Sequence, residues 1–128
     1  MKYLLDTCTF LWIIAGAKDL SPNAAQIFSN PSNEIFLSAV SVWEISVKHA
    51  LGKLPLPSAL DHFILTHRAR HRITALALEE RAVLHLHKLP PLHRDPFDRM
   101  LVCQALEHDC VLLTPDPLIV QYPVRTQW

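Results

Sequence analysis

Three short apolar runs constrain the fold of this chain more than any other feature: Tyr3-Leu4-Leu5, Ile35-Phe36-Leu37 and Val111-Leu112-Leu113. They read as buried strands over residues 2–6, 34–38 and 111–114. Residues 73–76 suggest a further strand, and 124–128 a final one at the sheet edge. Helix signals fill the gaps. Leu11 to Ala15 is an apolar helix stopped near Gly16, and Ser21-Pro22 starts one that runs to about Asn30. Val40 to Leu51 is a helix closed by Gly52, and Ser58 opens one reaching about Arg70. Leu78 to Leu86 follows, ended by Pro90-Pro91; then come Pro96 to His108 and a helical turn over Asp116 to Val120. Strands alternating with helices predict an α/β fold, a parallel sheet covered on both faces. With no repeats, low-complexity stretches or linkers, residues 1–128 read as a single domain.

Carboxylates stand at the joints of this pattern. Asp6 follows the first run, Glu44 comes shortly after the second, and Asp116 closely trails the third. Asp98 lies in His93-Arg94-Asp95-Pro96-Phe97-Asp98-Arg99, where a helix opens. In a parallel sheet, strand ends and helix starts gather along one edge, where ligands bind. Taken singly, each acid has an explanation in capping. Asp6 suits the N-cap of the helix that begins near Thr7, and Ser41-x-x-Glu44 has the form of a capping box. Asp95 and Asp116 each precede a proline at the first helical position, with Asp98 third in its helix. Yet Ser, Thr and Asn cap about as well, so capping does not call for an acid at every crossing. Four carboxylates gathered at one edge would repel one another unless a cation sits between them. Hard cations take oxygen ligands, so the set points to Mg²⁺ or Mn²⁺. Helix N-termini keep carboxylates ionised, so capping and metal binding can share residues.

Composition narrows the classes. Half the residues are hydrophobic and 19% charged, which argues against disorder. No apolar run approaches the ~20 residues of a membrane span. The N-terminus enters a strand at once, without a signal peptide's cleavage region. Cys8, Cys103 and Cys110 show no paired spacing, so reduced, mostly buried thiols in a cytoplasmic protein are expected. The formal net charge of zero argues at first against a nucleic-acid partner. With four carboxylates held by metal, however, eight acidic groups would face twelve basic ones. The basic groups cluster in His67-Arg68-Ala69-Arg70-His71-Arg72, in His93-Arg94 and at Arg99. That distribution suits a phosphate backbone around an acidic, metal-filled centre. The 67–72 run equally suits a helix C-terminus.

Four segments carry a resemblance: Leu4-Leu5-Asp6-Thr7, Ser38-Ala39-Val40-Ser41-Val42-Trp43-Glu44-Ile45, His93 to Ala105, and Leu113-Thr114-Pro115-Asp116. In order and spacing they resemble the PIN-domain nucleases, most closely the VapC-like toxins of bacterial toxin–antitoxin pairs. The likeness extends over essentially the whole chain. It implies a three-layer α/β/α sandwich with a central, mainly parallel sheet of four to five strands. It also implies a metal-dependent endoribonuclease that uses Mg²⁺ (or Mn²⁺) on an RNA substrate, a homodimer, and a cognate antitoxin as inhibitor. By motif, Asp6, Glu44, Asp98 and Asp116 match the family's acidic quartet, its catalytic and metal-binding set. Asp95, three residues before Asp98, is an extra acid: a ligand, a group that orients one, or only a cap. Cys103 stands where many relatives have Ala, one small residue for another.

The chemistry follows from the substrate. A phosphodiester's own charge repels nucleophiles, and one or two divalent ions would offset it, activate a water and stabilise the leaving oxygen. Asp6 and Asp98 are the first choices for direct ligands, with Glu44 or Asp116 for a second ion or for orienting the water. Such hydrolysis needs no ribose 2′-hydroxyl and would leave a 5′-phosphate and a 3′-hydroxyl. Arg99 and Lys48 are placed to reach a substrate phosphate, although Lys48 equally suits an i,i+4 ion pair with Glu44. Thr114 is placed to orient metal-bound water.

Other residues read as structural. His67 and His71 have zinc-like spacing but no third ligand, and are expected to be solvated. Cys8 is expected to be a buried thiol, and Trp43, Phe63 and Phe97 core side chains. Leu11, Trp12, Ile13 and Ile14 form an apolar face for the core or a homodimer, or for an antitoxin peptide. A haloacid-dehalogenase-type phosphatase is disfavoured by Cys8, which stands where that chemistry wants a second Asp. The remaining alternative is a catalytically silent PIN-like module that binds RNA or protein, and the intact quartet argues against it.

Overall fold

A computed structural model describes residues 1–128. Five strands form one sheet: β1 (Lys2–Leu5), β2 (Glu34–Ser38), β3 (Thr74–Leu76), β4 (Val111–Leu113) and β5 (Thr126–Gln127). Their order is β3-β2-β1-β4-β5, and every neighbouring pair is parallel. Tyr3 of the central strand lies opposite Ile35 on one side and Val111 on the other. Seven helices connect the strands: α1 (Thr7–Ala15), α2 (Pro22–Ser29), α3 (Ala39–Ala50), α4 (Leu60–Arg70), α5 (Glu80–Val83), α6 (Pro96–His108) and α7 (Pro117–Val120). A 3-10 turn, Leu86–Lys88, follows α5.

Alternation along the strands sorts the layers. Tyr3, Leu5, Ile35, Leu37, Val111 and Leu113 pack with Phe10 and Ile13 of α1, Ala24 of α2, and Phe63 and Ile64 of α4. Leu4 and Leu112 point the other way, onto Leu101, Val102 and Ala105 of α6 and Ile119 of α7. Helix α3 enters both cores, through Ile45 in the first and Val40 in the second. The result is a three-layer α/β/α sandwich, in which each fully buried Leu contributes roughly 1.5–3 kcal/mol. No helix is long and apolar enough to cross a membrane.

The chain runs outward from β1 through β2 to β3, then returns to the far side of β1 for β4 and β5. Strand order therefore reverses between β1 and β4, and a crevice opens beyond their C-terminal ends. Gly16 and Gly52 adopt positive φ, at 62° and 71°, where α1 and α3 end.

Three local expectations change. Helix α3 begins at Ala39, where Ser38 Oγ accepts from Val40 N at 2.9 Å. Ser41 is thus inside the helix, Ser41-x-x-Glu44 is not a capping box, and Glu44 sits in the second turn. Helix α4 starts at Leu60 with no side-chain cap, so Ser58 does not open it. The helix expected over residues 78–86 shrinks to α5 and the 3-10 turn. Leu78, Val83 and Leu84 stay exposed, so little burial is available to hold a longer helix together.

Candidate metal centre

Asp6, Glu44, Asp95, Asp98 and Asp116 line one cleft of about 310 Å³, together with Cys8, Trp12 and Lys48. Backbone caps aim most of these acids. Where β1 ends, Asp6 Oδ1 accepts from Thr9 N at 2.8 Å, and Oδ2 accepts from the Thr114 hydroxyl. Where β4 ends, Thr114 Oγ1 accepts from Asp116 N at 3.1 Å, and Asp116 Oδ1 accepts from Leu118 N at 2.8 Å. Asp95 Oδ1 caps α6 through Phe97 N at 2.8 Å, which sets Asp98 in the first turn beside it. Glu44 arrives from α3. Its Oε1 accepts from the Thr7 hydroxyl at 2.7 Å and its Oε2 from Lys48 Nζ at 2.6 Å.

His93 joins this group; sequence reasoning named it in the basic pair His93-Arg94, not as a partner of the acids. Its Nε2 lies 3.0 Å from Asp98 Oδ2 and 3.1 Å from Asp116 Oδ2. Its Nδ1 accepts from Asp95 N at 3.1 Å, so Nε2 carries the ring proton and donates toward both carboxylates. His93, Asp98 and Asp116 each offer a ligand atom within 4.8 Å of the others, a cluster able to chelate a divalent cation. Ligation through Nε2 would require that proton to leave. The only sequence signal was the place of His93 at the head of the Asp95–Asp98 motif; its partner Asp116 is 23 residues away.

Electrostatics decides which cation suits the site. Burial pushes Asp98 up to about 7, with Asp95 and Glu44 adding to the rise and His93 opposing it. Burial also raises Asp6, outweighing the hydrogen bonds from Thr114 and Thr9. Lys48, itself raised chiefly by its hydrogen bond to Glu44, is the cleft's one lysine or arginine. Burial, then Asp6 and Glu44, push the Cys8 thiol up to about 11 and keep it from becoming a thiolate. Crowded carboxylates with no soft anionic ligand fit a hard divalent ion such as Mg²⁺ or Mn²⁺.

The other singled-out residues divide. Lys48 makes the i,i+4 ion pair with Glu44. Thr114 is 1% exposed, and its proton is given to Asp6, so it orients a carboxylate and does not face the cleft. Arg99 is not among the cleft-lining residues, and its buried Nε has no partner. Cys8 is exposed at the cleft, not buried, whereas Cys103 and Cys110 are buried. Trp43 is 58% exposed, its ring edge-on to half-buried Phe97 at 4.7 Å; only Phe63 of that trio is core. The buried side of α3 carries Val40, Ser41, Glu44 and Ile45, and Trp43 points away from it. His67 packs its ring on Phe63 at 4.8 Å and stacks on His71, so neither ring is freely solvated. Leu11 and Ile14 pack on the core around buried Ile13, leaving Trp12 in the cleft.

The sequence profile of the PIN domain matches residues 3–123. Among solved structures, VapBC2 from Rickettsia felis, bound to a DNA fragment from its promoter, is similar with a TM-score of 0.74 at 14% identity. That match covers 100% of this chain and 99% of the other. VapBC-1 from nontypeable Haemophilus influenzae gives 0.65 at 21% identity, over 99% of this chain and 97% of its own. DNA-bound VapBC from Salmonella typhimurium gives 0.67 at 16% identity, with the same coverage of 99% and 97%. At such identities the likeness establishes a shared fold. No curated protein sequence matches the chain.

Proposed function

This chain belongs to the PIN-domain family, and from that premise we propose that it is a single-domain, divalent-metal-dependent endoribonuclease, the toxin of a toxin–antitoxin pair. The observation that carries this reading is the convergence of Asp6, Glu44, Asp98 and Asp116 on one cleft whose only lysine or arginine is Lys48. Asp6, Asp98 and Asp116 would hold Mg²⁺ or Mn²⁺, with Glu44 and Asp95 available to a second ion. When bound, the ion offsets the charge of the phosphodiester and acidifies the attacking water.

The chain's own groups do the rest. Thr114 fixes Asp6 by donating to its Oδ2, and Thr7 fixes Glu44 by donating to its Oε1. Where Glu44 holds no second ion, it orients the attacking water and takes up its proton at a carboxylate oxygen. The Lys48 ammonium pairs with Glu44 and has two further N–H donors for a phosphate oxygen. His93 donates from Nε2 to Asp98 and Asp116 and limits their repulsion.

The motif likeness to VapC-like toxins, together with a fold shared with VapBC structures, supports a cognate antitoxin as partner. An apolar groove of about 270 Å³ between α3 and α4, lined by Val42, Leu60, Ile64 and Leu65, offers such a segment a surface. A homodimer is supported by the exposed row Trp43, Val47 and Leu51 along α3. The same reading takes the cytoplasm as its site of action, a compartment that suits the free thiols of Cys8, Cys103 and Cys110.

The test is incubation of the purified chain with total RNA, in Mg²⁺ or Mn²⁺ and in EDTA, beside Asp6→Asn and Asp98→Asn. Discrete fragments with 5′-phosphate and 3′-hydroxyl ends, lost in EDTA and in both variants, are expected. RNA left intact by folded, metal-loaded wild type would instead favour the silent binding module.

A further inference from the structure

One aromatic ring lines the acidic cleft. Trp12 sits on α1 one turn beyond Cys8, on the same helix face, and its half-buried indole shares the cleft with Asp6, Glu44, Asp98 and Asp116. The ring has an aromatic neighbour. Trp128 packs against it with centroids 5.8 Å apart and planes tilted by 57°, and the Trp128 carbonyl accepts from Asn23 Nδ2 of α2 at 3.2 Å. Its indole adds neither a ligand oxygen nor a formal charge to the row of carboxylates.

What it offers a nucleotide follows from what the cleft lacks. The carboxylates offer acceptors only, and the one ammonium, Lys48, is shared between Glu44 and, on the reading above, a phosphate oxygen. The rest of the lining includes Pro115, Pro117 and a neutral thiol, a poor set for reading base edges by hydrogen bonds. A base can still bind through its π face, which every base presents, so such contact tolerates sequence. In a duplex both faces of a base are covered by stacked neighbours, and only an unpaired, unstacked base can reach an indole.

We propose that Trp12 is the base-stacking platform of the cleft, on which the base of the nucleotide next to the scissile phosphate stacks. This rests on the nuclease reading above for where the phosphate lies.

The test compares wild type, Trp12→Phe and Trp12→Leu, the last filling apolar space without a π face. A short fluorescein-labelled single-stranded RNA is titrated by anisotropy in Ca²⁺, and cleavage of the same RNA is followed in Mn²⁺. Trp12→Leu should weaken binding and raise KM about tenfold, as expected for losing one stacked base, with kcat little changed. Trp12→Phe should stay within about threefold of wild type, because it keeps a π face. An abasic ribose at one position should weaken binding to wild type and make no further difference to Trp12→Leu, a comparison that needs no destabilised variant on the wild-type side. Equal binding by wild type and Trp12→Leu, equal losses in both variants, or equal binding of the fully paired RNA would each overturn the proposal. Cleavage with a KM independent of Trp12 would sink it and leave the nuclease reading intact. Trp12-dependent binding without any cleavage would uphold the stacking contact but overturn its placement beside a scissile phosphate and sink the nuclease reading, and no RNA binding at all would sink both.

Discussion

Asp98 bears the heaviest electrostatic load in the cleft, and its consequences can be read from pH. With its pKa pushed up to about 7 by burial and by Asp95 and Glu44, the native state holds its proton more tightly than the unfolded chain does. The stability this group contributes is fully present below the ordinary aspartate value of about 4, and is lost as pH rises through about 7. Removing the charge with Asp98→Asn should therefore leave the metal-free protein more stable than wild type at about pH 8, by roughly 2–4 kcal/mol, and close to it at about pH 4. Denaturant titrations of both proteins across that range check the divergence; parallel curves would mean that Asp98 titrates normally. Thr114 makes a second prediction. Because its hydroxyl proton is given to Asp6, Thr114→Val should lower kcat by about 10- to 100-fold with KM little changed, and Thr114→Ser should restore it. A selective rise in KM would return Thr114 to a substrate-contact role.

At the scale of elements, caps both build the helices and aim the site. Ser38 caps α3 through Val40 N and also donates to buried Gln104 Oε1, whose Nε2 donates in turn to the Ala77 carbonyl at 3.2 Å. Ser38→Ala should destabilise the protein by about 2–3 kcal/mol, a lost cap plus an unpaired buried acceptor, measurable by chemical denaturation. In sequence the helix reads from Val40, and only Ser41-x-x-Glu44 has the form of a capping box. Burial of Val40 and Ile45, a tertiary fact, favours the earlier start. Strand β1 and the Asp6 cap were legible because an apolar run and its cap are adjacent in sequence. The part of His93 was not, since its partners include an aspartate 23 residues on. Trp43 was misjudged for a related reason: an apolar residue in an amphipathic helix does not announce which face lacks a neighbour.

For the molecule as a whole, the reversal of strand order between β1 and β4 is what brings Asp6 and Asp116 to one crevice. The alternation of strands and helices foretold a parallel sheet, but not the order of its strands. The same outlook applies to the exposed row of α3. Trp43 and Leu51, 58% and 64% exposed, should lie in a homodimer interface, so Trp43→Asp should halve the mass measured by light scattering. A wild type that is already monomeric at working concentration would remove that assignment. The central claim is that the acids at the sheet edge form a divalent-cation site, and calorimetric titration of Mn²⁺ into the metal-free protein tests it most directly. The prediction is saturable binding by wild type, weakened at least about tenfold in Asp98→Asn and Asp116→Asn. Heats no larger than dilution into folded wild type would contradict it, and would reduce Asp6, Asp95 and Asp116 to the helix caps they also are.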